Sequence, residues 1–265
     1  MKHVVGNPPP RAVSDMYAHA GRGEVDAAAQ QFDKRAVYGF GSDESDERGA
    51  RAVARGRTEI AAALGVDLAG QVAQLRVCVH EGLDCLVEGC LVDSMGEHVS
   101  TFAASFQLDT DGSIARAVSY RTTPLQPATS WARAPAEDAP DARRALQHYF
   151  SCLEAGDFDG AAHCFSADVL YAYPQARPGL PRPVYVGRQK LLEAFVERGR
   201  RRWRHRVLIS VQRGRECMAE GDVVGLEAGR TGGWISSLTL DDEALIVRYC
   251  AFYAEPAVPR WEPGR

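Results

Sequence analysis

Two pairs of side chains near the carboxyl end share a face if their segments are strands. Tyr249 goes with Tyr253, and Trp234 with Ser236, each at the two-residue period of extended backbone. Together they would wall a hollow with flat apolar rings and hydroxyl donors, a lining that suits a small planar, apolar or polycyclic oxygenated ligand. His205 opens the stretch His205-Arg206-Val207-Leu208-Ile209, where alternation places it on one face with Val207 and Ile209. An imidazole in such a place can take or give a proton near neutral pH. His148 and His163 fall on helix-like segments and read as structural or exposed. The seven cysteines, Cys78, Cys85, Cys90, Cys152, Cys164, Cys217 and Cys250, are odd in number and lack CxxC spacing. They read as buried core thiols, and neither a metal nor a cofactor is expected.

Such residues need a folded frame, and the composition supplies one. The 265 residues are 45% hydrophobic and 25% charged with a net charge of -4, the balance of an ordinary globular protein of one or two domains. That balance argues against a nucleic-acid partner. The basic run Arg198, Arg200, Arg201, Arg202, Arg204 and Arg206 reads as a solvated face. The charged insertion Asp43, Glu44, Asp46, Glu47 and Arg48 reads as a solvated excursion or a lid. No apolar stretch approaches the ~20 residues that span a bilayer. The first ten residues carry no apolar signal core, so no membrane partner is expected and the chain reads as cytoplasmic.

Residues 124–141, PLQPATSWARAPAEDAPD, hold four prolines and read as a linker. The same order of residues stands on both sides of it. Gly23-Glu24-Val25-Asp26 with Phe32 meets Gly156-Asp157-Phe158-Asp159 with Phe165 at a spacing of 133 residues. Gly56-Arg57 meets Gly187-Arg188 at 131, and Leu108-Asp109 with Ile114 and Arg116 meets Leu240-Asp241 with Ile246 and Arg248 at 132. Two tandem domains follow, 12–123 and 142–255. In each, helix-like segments come first: 13–19, 26–32 and 58–64, then 142–155, 159–165 and 189–198. Strands rich in β-branched and aromatic residues follow at 74–80, 84–92, 99–108 and 114–122, then at 204–212, 222–227, 233–240 and 245–253. Asp109-Thr110-Asp111-Gly112 signals a hairpin turn, and its counterpart Asp241-Asp242-Glu243-Ala244 has poorer turn chemistry. Helices followed by an antiparallel meander predict an α+β fold.

The second half resembles the NTF2-like superfamily, which includes ketosteroid isomerases and SnoaL-like polyketide cyclases. The residues that carry the resemblance are Tyr149-Phe150-Ser151-Cys152-Leu153-Glu154-Ala155-Gly156-Asp157-Phe158, then Phe165, Asp168, Pro174, Gly187-Arg188 and Leu240-Asp241 with Ile246. It covers about residues 142–255 and, more weakly, 12–123. It implies two tandem cone-shaped α+β barrels, each a curved antiparallel sheet closed by about three helices around a pocket. Tyr149 falls on the position of the tyrosine that, in steroid isomerases, donates to the substrate oxyanion. By the same alignment Tyr173 stands where those enzymes place a carboxylate base, and Ser236 where they place a second acidic donor. In the first half Met16, Phe40, Ala104 and Ala117 occupy the corresponding positions, which implies a degenerate, structural copy, with Tyr17, Tyr38, His80 and Arg121 nearby. The family's pairing of sheets implies that the two copies form an intramolecular pseudo-dimer.

The expected activity is therefore that of a small-molecule isomerase, cyclase or dehydratase of polyketide-like metabolism. Tyr149, Tyr173, Ser236 and His205 would move or hold protons, and Trp234, Tyr249 and Tyr253 would shape the pocket. A non-catalytic ligand-binding or assembly protein is the alternative, and an epoxide-opening polyether-type cyclase a third.

Overall fold

Apolar and polar residues alternate along the strand-rich stretches of both halves, and the structure sorts them onto two faces. The computed structural model describes residues 5–42, 51–68, 70–122, 124, 139–174, 182–200, 202–225, 232–254, 257–258 and 260. The insertion at 43–48 and most of the proline-rich linker, 125–138, lie outside the described residues. The first half runs β1 (Val5–Gly6), α1 (Arg11–Gly21), α2 (Val25–Ala29), β2 (Phe32–Ser42), β3 (Arg51–Arg55), α3 (Gly56–Leu68), β4 (Val72–Glu81), β5 (Asp84–Val92), β6 (His98–Leu108) and β7 (Ile114–Thr122). The second runs α4 (Ala142–Ala155), α5 (Phe158–His163), β8 (Phe165–Ala172), β9 (Val184–Val186), α6 (Arg188–Arg198), β10 (Arg204–Arg213), β11 (Glu216–Val224), β12 (Gly232–Leu240) and β13 (Ile246–Ala254). The fold is mixed α+β, with two sheets and six helices among the described residues.

The sheets have the orders β1-β4-β5-β6-β7-β2-β3 and β10-β11-β12-β13-β8-β9. The meanders are antiparallel, while β2 lies parallel to β7 and β8 parallel to β13. Closed barrels are not what forms. Each sheet stays open and ends in a short edge strand, β3 or β9, and helices cover the space that strand pairing leaves. Local signals place those helices. Asp157 caps α5 by accepting from the Gly160 N–H at 2.9 Å, and Gly156, at φ 84°, takes the left-handed turn that ends α4. Among the described residues no helix is long and apolar enough to cross a membrane, and all seven cysteines are buried and unbridged.

One face of each sheet packs under its own helices. In the first half Met16, Ile60, Leu64, Phe102 and Phe106 belong to that core; in the second Leu146, Tyr149, Leu191, Phe195 and Tyr249 do. The opposite faces meet each other: β4 packs on β10, β6 on β12 and β7 on β13. Val77, Leu86 and Tyr120 from one sheet and Ile209, Met218 and Phe252 from the other build this seam, each residue matched by one 132 further on.

Two ion pairs cross the seam with the same spacing. Arg116 on β7 holds Glu220 on β11, with Nη1 donating to Oε2 at 3.1 Å, and Arg248 on β13 donates to Glu88 on β5 at 2.5 Å. Ser105 donates to Glu220 at 2.6 Å, and its counterpart Ser237 accepts from Arg248 at 3.1 Å. Arg248 thus repeats Arg116, and Glu220 repeats Glu88.

Two departures from the sequence expectation follow from this seam. The strand expected at 222–227 starts at Glu216, because Glu-Cys-Met-Ala-Glu carries no β-branched signal and Glu220 is held in place by an arginine of the other half. In β10 a bulge between Val207 and Ile209 reverses the alternation. His205 and Val207 stay on the helix side, whereas Ile209 and Val211 turn into the seam, so His205 and Ile209 do not share a face.

Candidate functional site

The close of β8 and β13 and the opening of β10 and β12 come together at one end of the second sheet, and α4 and α6 both finish there. Two glycines give the aromatic side chains their room. A Cβ at Gly221 would collide with the Trp234 ring, and one at Gly232 with the Tyr253 hydroxyl.

Below this end the tyrosines gather. Tyr149 and Tyr171 join hydroxyl to hydroxyl at 2.8 Å, and Tyr171 stacks on Tyr249 with centroids 4.9 Å apart. Burial, with Tyr171 and Tyr249 close by, lifts the Tyr149 phenol well above its ordinary value. Burial likewise pushes Tyr171 up to about 12, tempered by Arg198 and by its bond to Tyr149. These phenols are neutral donors at physiological pH. Ser236 is completely enclosed; its hydroxyl lies beside the Tyr249 phenol and tempers the rise that burial causes there, without closing an aligned hydrogen bond.

Arg198, the last residue of α6, enters the same cluster. Its guanidinium carbon stands 4.1 Å from the Tyr173 ring centroid, 5.1 Å from Phe195, 5.9 Å from Tyr185 and 6.0 Å from Tyr171. Nε donates to the Ala194 carbonyl at 3.0 Å, while Nη2 is buried and closes no hydrogen bond. No carboxylate among the described residues pairs with it. The solvated face expected for the basic run fails at this residue: Arg198 follows Leu191, Ala194 and Phe195 by seven, four and three residues, which puts it on the buried stripe of its helix. Further along the run, Arg206 is exposed and pairs with Asp222.

His205 stands in a second aromatic group at the same end. Its ring lies parallel to Phe150 at 4.1 Å, with Trp203 at 4.9 Å and Trp234 at 6.0 Å. Glu154 Oε1 is 3.1 Å from His205 Nδ1 and accepts the His205 backbone N–H at 2.6 Å. Burial works against the Glu154 charge, yet the hydrogen bonds from His205 hold its carboxyl below the ordinary value. Trp234 spends its indole N–H on the Asp222 carbonyl at 3.1 Å, so it offers the site a ring and no donor. Tyr253 is half-buried opposite Trp234 on the paired strand.

The structure thus collects Tyr149, Tyr173, Ser236 and Tyr249 in one group and His205 and Trp234 in another, joined through the adjacent rings of Tyr149 and Phe150 at 5.1 Å. Tyr171, Tyr185, Arg198 and Glu154 were missed. Tyr171 is two residues before Tyr173, the strand period that picks out Tyr249 and Tyr253. Among the described residues no three His, Cys, Asp or Glu side chains are grouped to hold a metal ion.

No family model and no curated protein matches the chain. Solved structures do. An NTF2-like protein of unknown function from Burkholderia xenovorans LB400 is 19% identical, covers 45% of this chain and 87% of its own, and has a TM-score of 0.37. A protein described as a ketosteroid isomerase from Kribbella flavida is 21% identical over 47% of this chain and 84% of its own, at a TM-score of 0.35. The epoxide hydrolase/cyclase-like enzyme SalBIII, of pyran-ring formation in the polyether salinomycin, is 16% identical over 43% and 90%, also at 0.35. The chain is similar to NTF2-like structures. Each covers less than half of this chain and most of itself.

Proposed function

We propose that the second half is the site of an isomerase, cyclase or dehydratase that moves a proton on a carbonyl-bearing, oxygenated ring compound. The observation that carries this reading is Arg198: a guanidinium with a buried, unpartnered nitrogen, set among tyrosine rings with no described carboxylate to neutralise it. Such a group favours oxygen that gathers negative charge, and it does so most strongly where water is excluded. One hydroxyl of the Tyr149–Tyr171 pair donates to the other, which leaves the second O–H to donate to the same oxygen. His205, turned by Glu154 on Nδ1, has Nε2 left to accept a proton from the carbon next to that carbonyl. Tyr173, Tyr249, Tyr253 and Trp234 form the walls, and Ser236 sits behind Tyr249. Tyr173, lying under the guanidinium, is placed as a wall rather than as a base. An epoxide-opening reaction fits less well, since Glu154, the carboxylate beside the His205 ring, is already engaged by it.

One observation favours a non-catalytic binding protein instead: the Tyr149 and Tyr171 hydroxyls are bonded to each other, inside a closely packed set of rings. Exchange of the α-protons of 2-tetralone in D2O, followed by NMR, separates the two, because it detects enolisation without a known product. The enzyme reading expects accelerated exchange, reduced by about 10²–10³ in Arg198→Met and by 10²–10⁴ in His205→Asn. Binding of 2-tetralone without exchange supports the binding protein.

A further inference from the structure

The first half carries a charged cluster that the second half lacks. Asp67, near the end of α3, is 4% exposed and follows Ile60, Ala63 and Leu64 by seven, four and three residues on the buried stripe. Tyr38 on β2 donates to its Oδ2, and Arg121 on β7 places Nε 3.0 Å from its Oδ1. Tyr17 on α1 belongs to the same core, its ring 5.6 Å from Phe102. Burial lifts the Asp67 carboxyl above its ordinary value in spite of Arg121 and Tyr38.

At the repeat spacings of 131 to 133 residues the two halves carry different side chains. Asp67 occupies the place of Arg198, Arg121 that of Tyr253, Phe40 that of Tyr173, and Met16 that of Tyr149, while Tyr38 and Tyr171 match. One site has a cation from the helix and hydroxyls from the strands. The other has an acid from the helix and a cation from the strand. Arg121 Nη2 is buried and closes no hydrogen bond, which leaves a donor on the helix side of β7 in want of an acceptor.

We infer that the first half holds a second ligand site, which takes a carbonyl compound bearing an enol or hydroxyl beside the carbonyl: the carbonyl oxygen meets Arg121 Nη2 and the neighbouring O–H donates to Asp67. A donor and an acceptor side by side on the ligand answer an acceptor and a donor side by side on the protein. An anion alone meets repulsion from Asp67, and a plain hydrocarbon leaves both groups unpaired. This site stands independently of the reading of the second half.

The test uses the full-length chain with Arg198→Met as background, so that the second half contributes no cation, and benzoylacetone, a largely enolic β-dicarbonyl, as probe. Calorimetry is expected to show one saturable site. Arg121→Met and Asp67→Asn should each raise the dissociation constant at least tenfold. Tyr38→Phe, which keeps the ring and loses one partner of Asp67, should raise it severalfold and carries the test if a charge variant does not fold. Benzoate, an anion without the donor, should bind at least tenfold more weakly than benzoylacetone. No saturable binding of benzoylacetone, equal binding of benzoate, or binding indifferent to Arg121, Asp67 and Tyr38 would overturn the inference.

Discussion

Glu154 shows how one side chain can matter through another. It touches His205 twice, at the ring and at the backbone, and so fixes both the imidazole's orientation and the start of β10. We expect Glu154→Gln to lower 2-tetralone exchange about tenfold or more through lost alignment while leaving affinity for it within about twofold. The same change tests linkage. A carboxyl held below its ordinary value stabilises the fold above the unfolded value, near 4.5, and loses that contribution as pH falls through the lowered one. The wild-type advantage over Glu154→Gln in urea unfolding should be about 1 kcal/mol or less at neutral pH, because the pair is partly solvated, and should vanish under acid. At this level the sequence was legible where alternation is regular, as with Tyr249 and Tyr253 on the sheet and Trp234 with Ser236. It was opaque at Arg198, whose charge, set in a run of arginines, hid the helical spacing that buries it.

Hairpin chemistry distinguishes otherwise matching elements. The β6–β7 turn places Gly112 at φ 83°, and the β12–β13 turn places Ala244 at φ 64°, the one non-glycine residue with positive φ among those described. A left-handed alanine costs about 1–2 kcal/mol, partly offset by the greater freedom glycine has in the unfolded chain. Ala244→Gly should therefore raise stability by roughly 0.5–1 kcal/mol, read from the urea midpoint at constant slope. That turn was legible as poor from its residues alone. The helices and most strands were legible too, from apolar periodicity and β-branched content. What escaped was set by distant partners. The early start of β11 depends on Arg116 a hundred residues upstream, and the bulge at Val207 depends on which apolar residues the opposing sheet needs.

Across the molecule, the crossed pairs Arg116–Glu220 and Arg248–Glu88, with Ser105 and Ser237 beside them, lie in a seam built largely of aliphatic and aromatic side chains. Removing one partner strands a charge. Glu220→Leu should cost about 3–5 kcal/mol of unfolding free energy, and adding Arg116→Met should restore most of it. Equal losses in the single and double variants would show that the pair contributes only packing. Repetition at a spacing near 132 residues made the matching order of elements in the two halves readable from the start; the opposed charges of Asp67 and Arg198, which stand at matching positions, were not. The pairing also bears on biosynthesis. When the ribosome has delivered residues up to Thr122, Arg116 and Glu88 are both present but the groups that neutralise them have yet to be translated. The nascent amino-terminal portion must hold two charges on an apolar sheet until β11 and β13 emerge, which makes the interval between those events the time at which a chaperone would have most to do.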